Sequence, residues 1–488
     1  MIARRLCLSL LLVVSVGASP VFSRELPLIS AIKAGDSNAI RTLLKDTSQV
    51  NLPETDGTTP LHWATRTDSV ETARLLLRAG AKVDTPNRYG VTALSLAAES
   101  GNPAMVDLLL KAGANPNQAL PEGETVLMTA ARAGHTDTAK LLLAAGAKPE
   151  TPENFHGETA LIWAAAENHA DTVRALLAGG ADVNGRSRKE SYARRPQGLS
   201  VLPLGSWTPL MYAARQGALD AVKALADAKA DLNLTDPDGT TALVLAIINS
   251  QYHVGSYLLS KGADPNIADT SGMAALYAAV DINTLPWMFG RPDPVPRSSA
   301  VSSIDLIKQL LDHGASPNAT LTAVLLQRLH TDGDSSLGAG STPFLRAAKS
   351  GDAEVMRLLL AHGANPKAVN KDGATAIMLA AGLGYRDGNA AIPTRDRGTD
   401  DEVVAAIKLS LENGVDINAV SVRGETAIHA AITGRGSDDV LRFLAANGAN
   451  LEAKNAQGRT PLEVATASRK DRSSNAAILK SLLSGTNH

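Results

Sequence analysis

The chain has 488 residues, with 47 Lys and Arg against 49 Asp and Glu. That near-neutral balance excludes the dense basic surface on which general nucleic-acid binding relies. Hydrophobic residues make up 44% and aromatics only 3%, so the interior must be built from Leu, Ala, Val and Ile, as stacked short helices are. Cys7 is the single cysteine, which excludes an internal disulfide framework.

Residues 1–23 carry Arg4 and Arg5, then an apolar run from Leu6 to Val16, then a cleavage site near Ser23. This three-part plan predicts a secretory signal peptide, and the run is shorter than the roughly 18 residues a membrane span requires. Removal would take Cys7 away and change the charge balance from 47 − 49 to 45 − 49, or −4. The predicted location is the periplasm or outside the cell. No later stretch is long and apolar enough to cross a bilayer.

Residues 24–52 include LISAIKAGDSNAIRTLLKDTSQVNL, a helix pair without the Gly and Thr that open later phrases. It reads as an N-terminal cap, with Lys33, Asp36, Arg41 and Lys45 on its solvent side. From residue 53 onward one phrase recurs, clearest as GETVLMTAARAGHTDTAKLLLAAGAKPE over Gly123 to Glu150. Thr125 can cap a helix through its side-chain oxygen, and Val126, Leu127, Ala130 and Ala131 give that helix an apolar face. After Gly134 and His135 comes a second helix with Ala139, Leu141, Leu142 and Leu143, closed by Gly146 where a left-handed residue is needed. Two such helices cannot bury their faces alone, so copies must stack on both sides.

The copies align on Gly57, Gly90, Gly123, Gly157, Ser206, Gly239, Gly272, Gly340, Gly373, Gly424 and Gly458, with spacings of 33 or 34 wherever no insertion intervenes. Two departures are predicted weak points. Ala274 replaces the opening Thr, and Lys229 replaces the closing Gly. Four insertions break the period, near 185–205, 283–302, 319–339 and 384–399. The first and third fall in linkers, with 16 extra residues each; the other two fall between paired helices. Their contents differ. The first holds Arg186, Arg188, Lys189, Tyr192, Arg194 and Arg195, which is either a basic contact for an anionic partner or a solvated loop. The second holds Trp287, Met288 and Phe289 among prolines, either an exposed anchor or a plug over its own helices. In the third, Thr320 to Leu329 reads as an extra short helix, and the fourth is polar around Tyr385.

A search for chemistry returns no HExxH, GxSxG, CxxC or Walker-type phosphate loop. Asp332, Gly333 and Asp334 begin like a calcium loop, but Pro343 stands where the closing Glu belongs, which makes this a turn. His62, His135, His313, His362 and His429 recur at fixed repeat slots and read as hydrogen-bonded scaffold histidines. No catalytic, metal or cofactor site is predicted.

The 33-residue period, with TPLHWA at Thr59 to Ala64 and TPLMYAA at Thr208 to Ala214, resembles the ankyrin repeat. That resemblance implies a mainly α solenoid of stacked helix pairs with β-hairpin linkers. It further implies that partners meet the hairpin tips and the exposed end of each first helix, here Arg66, Arg88, Tyr89, Glu99, Arg132, Phe155, Glu167, Trp207, Arg215 and Lys349. Trp207, Tyr89 and Phe155 are the expected anchors, because aromatics dominate interface energetics. Together with the signal peptide, the layout resembles exported bacterial ankyrin proteins, with no haem-binding module. The expected function is a non-enzymatic scaffold for an unidentified protein. The alternative is capture of an anionic envelope polymer or polysaccharide by the basic insertion 185–205.

Overall fold

The computed structural model describes residues 26–191, 204–284, 301–323, 335–384, 398–467 and 472–485. It falls into two units, residues 1–115 and 116–488. In the first unit the helix pairs are α1 (Pro27–Ala34) with α2 (Ser37–Leu43), α3 (Pro60–Arg66) with α4 (Val70–Arg78), and α5 (Ala93–Ser100) with α6 (Pro103–Lys111). In the second they are α7 (Val126–Ala133) with α8 (Thr136–Ala144), α9 (Ala160–Ala166) with α10 (Ala170–Ala178), α11 (Pro209–Gln216) with α12 (Leu219–Asp227), and α13 (Ala242–Ile248) with α14 (Tyr252–Ser260). There follow α15 (Ala275–Thr284) with α16 (Ser303–Asp312), α17 (Pro343–Ser350) with α18 (Ala353–Ala361), and α19 (Ala376–Ala381) with α20 (Asp400–Glu412). The last pairs are α21 (Ala427–Ala430), continued by a π turn over Ala431–Arg435, with α22 (Asp438–Ala446), and α23 (Pro461–Ala467) with α24 (Ser473–Ser484).

Within each unit the first helices of successive pairs pack in one row and the second helices in another. Ala130, Ala131, Ala164, Ala165, Ala213 and Ala214 are fully buried in the first row, where only a methyl group separates neighbouring backbones. The threonines start these helices as the sequence predicts. The Oγ1 of Thr59, Thr92, Thr125, Thr208, Thr241, Thr342 and Thr375 accepts the N–H three residues on, which satisfies a donor the first turn leaves open. The residues expected to form the second and fourth insertions fall, in chain order, between α15 and α16 and between α19 and α20, and 285–300 and 385–397 lie outside the described residues.

The linkers correct one expectation. Among the described residues they are tight turns rather than extended hairpins, with only isolated antiparallel bridges joining Ala119 to Thr125, Lys189 to Gly205 and Thr235 to Thr241. The reason is that the tips bond along the stack. In several turns an N–H donates to a carbonyl of the preceding tip, as in Arg88 to Asp56 at 2.8 Å, Thr270 to Asp238 at 2.8 Å and Val422 to Asp372 at 2.9 Å. The linkers with insertions keep this bond through Arg188 to His156 and Thr322 to Ser271. Residues 192–203 and 324–334 lie outside the described residues; Thr320 to Ala323 are not helical, and Ser335–Leu337 form a 3₁₀ turn.

A second ladder runs through asparagines. The Nδ2 atoms of Asn51, Asn117, Asn266, Asn318 and Asn418 donate at 2.9–3.0 Å to the carbonyls of Gly80, Gly146, Gly314, Gly363 and Gly448 in the next pair. Each Oδ1 accepts a backbone N–H two residues further on, at 2.7–2.8 Å. One amide therefore fixes the turn that closes its neighbour's second helix. Lys229 holds that closing position with φ of +68°, a conformation that strains a residue with a Cβ, and Ser206 likewise takes +55°.

Candidate binding surface

Counting the opening threonine as residue one, residues two, three, four, six and seven of a first helix turn inward. Pro60, Leu61, His62, Ala64 and Thr65 are all buried. Residues five and eight, three apart and so on one edge, face outward. In α3 these are Trp63 and Arg66.

In the second unit this edge carries a continuous polar and aromatic network from Glu124 to Asp236. Arg132, the eighth residue of its repeat, pairs with Glu124 at 2.9 Å and stacks 5.0 Å from the ring centre of Trp163, the fifth residue of the next. The Trp163 indole N–H donates to Glu158 at 2.7 Å. The charge of Glu158 also acts on the hydroxyl of Tyr212, the fifth residue of the following repeat. Burial, and then the charge of Glu158, push the Tyr212 pKa well above the ordinary tyrosine value. Tyr212 meets Trp207 edge to face at 5.3 Å. The Trp207 N–H donates to Asp236 at 3.1 Å, while the other Asp236 oxygen accepts the backbone N–H groups of Asp238 and Thr240 at 2.9 and 2.8 Å. Arg215 completes the row, 5.4 Å from the Trp207 ring centre.

The first unit repeats the device by itself. Trp63 donates to Glu54 at 2.7 Å, Lys33 lies 4.0 Å over its ring while pairing with Glu54 at 2.6 Å, and Arg66 lies 5.6 Å from the ring.

Two expected contact residues are corrected. Trp207 is only 4% exposed, because Tyr212, Asp236 and Arg215 enclose it; it is a floor rather than an anchor. Lys349 is 2% exposed and donates to Ser336, beneath the 3₁₀ turn of the third insertion. Beside it Arg346 pairs with Asp281 and reaches Ser350, both at 2.5 Å, and is equally buried. Gly384 closes against the same place: a Cβ there would lie 2.3 Å from that of Ser336. Behind this cluster Asn283 donates to Asp352 at 2.8 Å, and burial raises the Asp352 pKa.

The remaining candidates divide by position. Tyr89 and Phe155 project from turn tips at 63% and 67% exposure. Arg66, Arg88, Glu99, Glu167 and Arg215 are exposed and Arg132 is half-buried. Arg186 and Arg188 are exposed yet engaged, donating to the carbonyls of Ser206 and Thr235 and of Asn154 and Phe155. They brace adjacent turns, which corrects their reading as loop cations. Tyr192, Arg194, Arg195, Trp287, Phe289 and Tyr385 lie outside the described residues.

Sequence reasoning missed Glu124, Glu158, Trp163, Tyr212 and Asp236. The available signal was the alignment of Trp63, Trp163 and Tyr212 at one repeat slot. The scaffold histidines behave as expected. His62 lies within 3.1 Å of the Thr59 N–H through Nδ1 and within 2.9 Å of the Val91 carbonyl through Nε2, and burial lowers its pKa. His429 repeats this with Thr426 and Arg459. Among the described residues no helix is long and apolar enough to cross a membrane, and no cluster of His, Cys, Asp and Glu is placed to hold a metal.

The family described as "Ankyrin repeats (3 copies)" matches residues 6–87, 28–119, 94–187, 197–283, 298–389 and 398–488. The putative ankyrin repeat protein YahD of Escherichia coli is 27% identical over 198 residues, covering 36% of this chain and 90% of that protein. The protein glp-1 of Caenorhabditis elegans is 29% identical over 178 residues, 33% of this chain and 13% of its own length. The match to the probable 26S proteasome regulatory subunit p28 of Saccharomyces cerevisiae, 35% identical over 81 residues, covers 16% of this chain and 36% of that protein. The crystal structure of the human ASB11 ankyrin repeat domain aligns with a TM-score of 0.40 at 30% identity, over 49% of this chain and 99% of that one. With matches across nearly its whole length, this chain belongs to the ankyrin repeat family, whose arrays serve as protein interaction scaffolds.

Proposed function

We propose that this chain is an exported, non-enzymatic scaffold that holds a protein partner on the outward edge of α7, α9 and α11, in the groove of the array. The observation that carries this reading is the network from Glu124 to Asp236. It holds two guanidinium groups over indole rings in fixed positions, with Arg215 and Glu167 left open to solvent. A rigid surface that displays pre-set side chains loses little entropy on binding. The exposed Phe155 tip extends the same surface. Export rests on the leader-like residues 1–23. The second reading, capture of an anionic envelope polymer by the basic insertion 185–205, rests on Arg186 and Arg188, which are exposed while also bonded to backbone carbonyls.

The test is a photo-reactive residue placed at Gln216, beside Arg215, and at Arg174 on the opposite row, in cells carrying the full chain. One discrete protein adduct from the Gln216 position and none from Arg174 is the expected result. Equal labelling from both, or none from either in a folded, exported chain, would remove the reading.

A further inference from the structure

Resting on that reading, we infer that Arg215 is the specificity residue of the surface, and that the partner is a peptide segment which presents a carboxylate to it. Within the network each carboxylate already has a donor: Glu124 takes Arg132, Glu158 takes Trp163, and Asp236 takes Trp207. Arg132 directs both terminal nitrogens at Glu124, at 3.4 and 2.9 Å. Arg215 is different: it is exposed and, among the described residues, makes no ion pair, and its contact is the face of Trp207.

That cation–ring contact prepares the group. A guanidinium lying on an aromatic face keeps its edge donors outward in the fork that matches a carboxylate, and it is more weakly hydrated than an ammonium. The ring beneath it is held, because its N–H is bound to Asp236, it meets Tyr212 in an edge-to-face pair, and the Trp207 backbone N–H donates to the Ser187 hydroxyl at 3.0 Å. One repeat earlier the slot equivalent to Arg215 holds the small Ala166, beside the exposed Glu167. The surface therefore offers a cation over α11, a gap over α9 and a carboxylate at its rim. A complementary peptide puts its acid over α11 and no second acid over α9.

The test selects random dodecapeptides displayed on phage against the full chain, the Arg215→Gln variant and the Arg215→Glu variant. Enrichment of Asp or Glu at one position is expected for the parent chain, with roughly tenfold weaker binding of those peptides to Arg215→Gln. For Arg215→Glu the enrichment should invert to Lys or Arg, a gain that misfolding cannot mimic. Synthetic peptides with amidated ends distinguish a side-chain carboxylate, whose binding survives, from a terminal one, whose binding is lost. Peptides that bind the parent without acidic enrichment, or bind all three chains alike, overturn the role of Arg215 and leave the scaffold reading intact. Absence of any binder to the folded parent overturns both.

Discussion

Two stretches of the second unit use the same repeat slots to opposite ends. Between Glu124 and Asp236, residues five and eight of the first helices are Trp163, Tyr212, Arg132 and Arg215, half-buried or exposed. Around α17 the same slots hold Arg346 and Lys349, at 3% and 2% exposure. A slot's place in the period therefore sets its direction but not its access to solvent. The difference comes from the insertions: the Ser335–Leu337 turn and Gly384, at the borders of two of them, close on the α17 edge.

The largest expected effect breaks the covered stretch. Arg346→Ala would remove the guanidinium that pairs with Asp281, whose side chain is 19% exposed, and should cost about 3–5 kcal/mol in urea melts. Replacing both partners by apolar residues of similar volume should recover most of that loss, because the pair itself gives little net stability once desolvation is counted. A loss under about 1 kcal/mol for Arg346→Ala would mean that this edge is wetter than its burial indicates.

Acid sharpens the comparison next. Burial holds the imidazole of His429 below its ordinary pKa of 6.5, so the unfolded chain takes up the proton first as pH falls. The stability this contributes is complete above the unfolded value and is withdrawn as pH drops toward the folded one. The corresponding slots of α9 and α11 hold Ile162 and Met211, which do not titrate. Amide protection, taken relative to the intrinsic exchange rate at each pH from 7.5 to 5.5, should therefore fall around α21 before it does around α9 and α11, and His429→Gln should flatten that response. A uniform fall in protection would assign the acid sensitivity elsewhere.

Local interactions are legible in the residues, and cover supplied from a distant turn is not. Thr59, Thr125 and Thr208 revealed the helix starts because a cap is a local interaction, closed within three residues. Trp207 was misread because its burial depends on Asp236, 29 residues away and in the next turn, and Lys349 because its cover comes from segments that interrupt the repeat. Neither cover has a pattern within the phrase. Arg188 shows the same limit, since its guanidinium is held by carbonyls 33 and 34 residues earlier.

A smaller effect concerns the second row of the open stretch. Lys229 holds a left-handed conformation that glycine holds at the equivalent position of neighbouring repeats, as at Gly146 with φ of +91°. Lys229→Gly should stabilise the fold by about 0.5–1 kcal/mol, the relief of Cβ strain exceeding the added freedom of the unfolded chain. Unchanged or lower stability would mean that the lysine stem packs usefully on α12.

The smallest effect is the most direct check on the comparison. Arg215→Gln removes a solvent-exposed guanidinium from the face of Trp207 without unpairing any carboxylate, so its cost to folding should be about 0.5–1 kcal/mol, the worth of an exposed cation on an aromatic ring. Arg346→Ala, at the neighbouring slot of the covered stretch, is expected to lose several times more. Running both in the same urea titration holds chain length and surface exposed on unfolding constant, so the midpoints compare directly. If the two losses were equal, Arg215 would be a structural residue like Arg346. A near-neutral Arg215→Gln that nevertheless weakens peptide binding tenfold separates the two roles, because an interaction held in reserve for a partner contributes little to the fold that displays it.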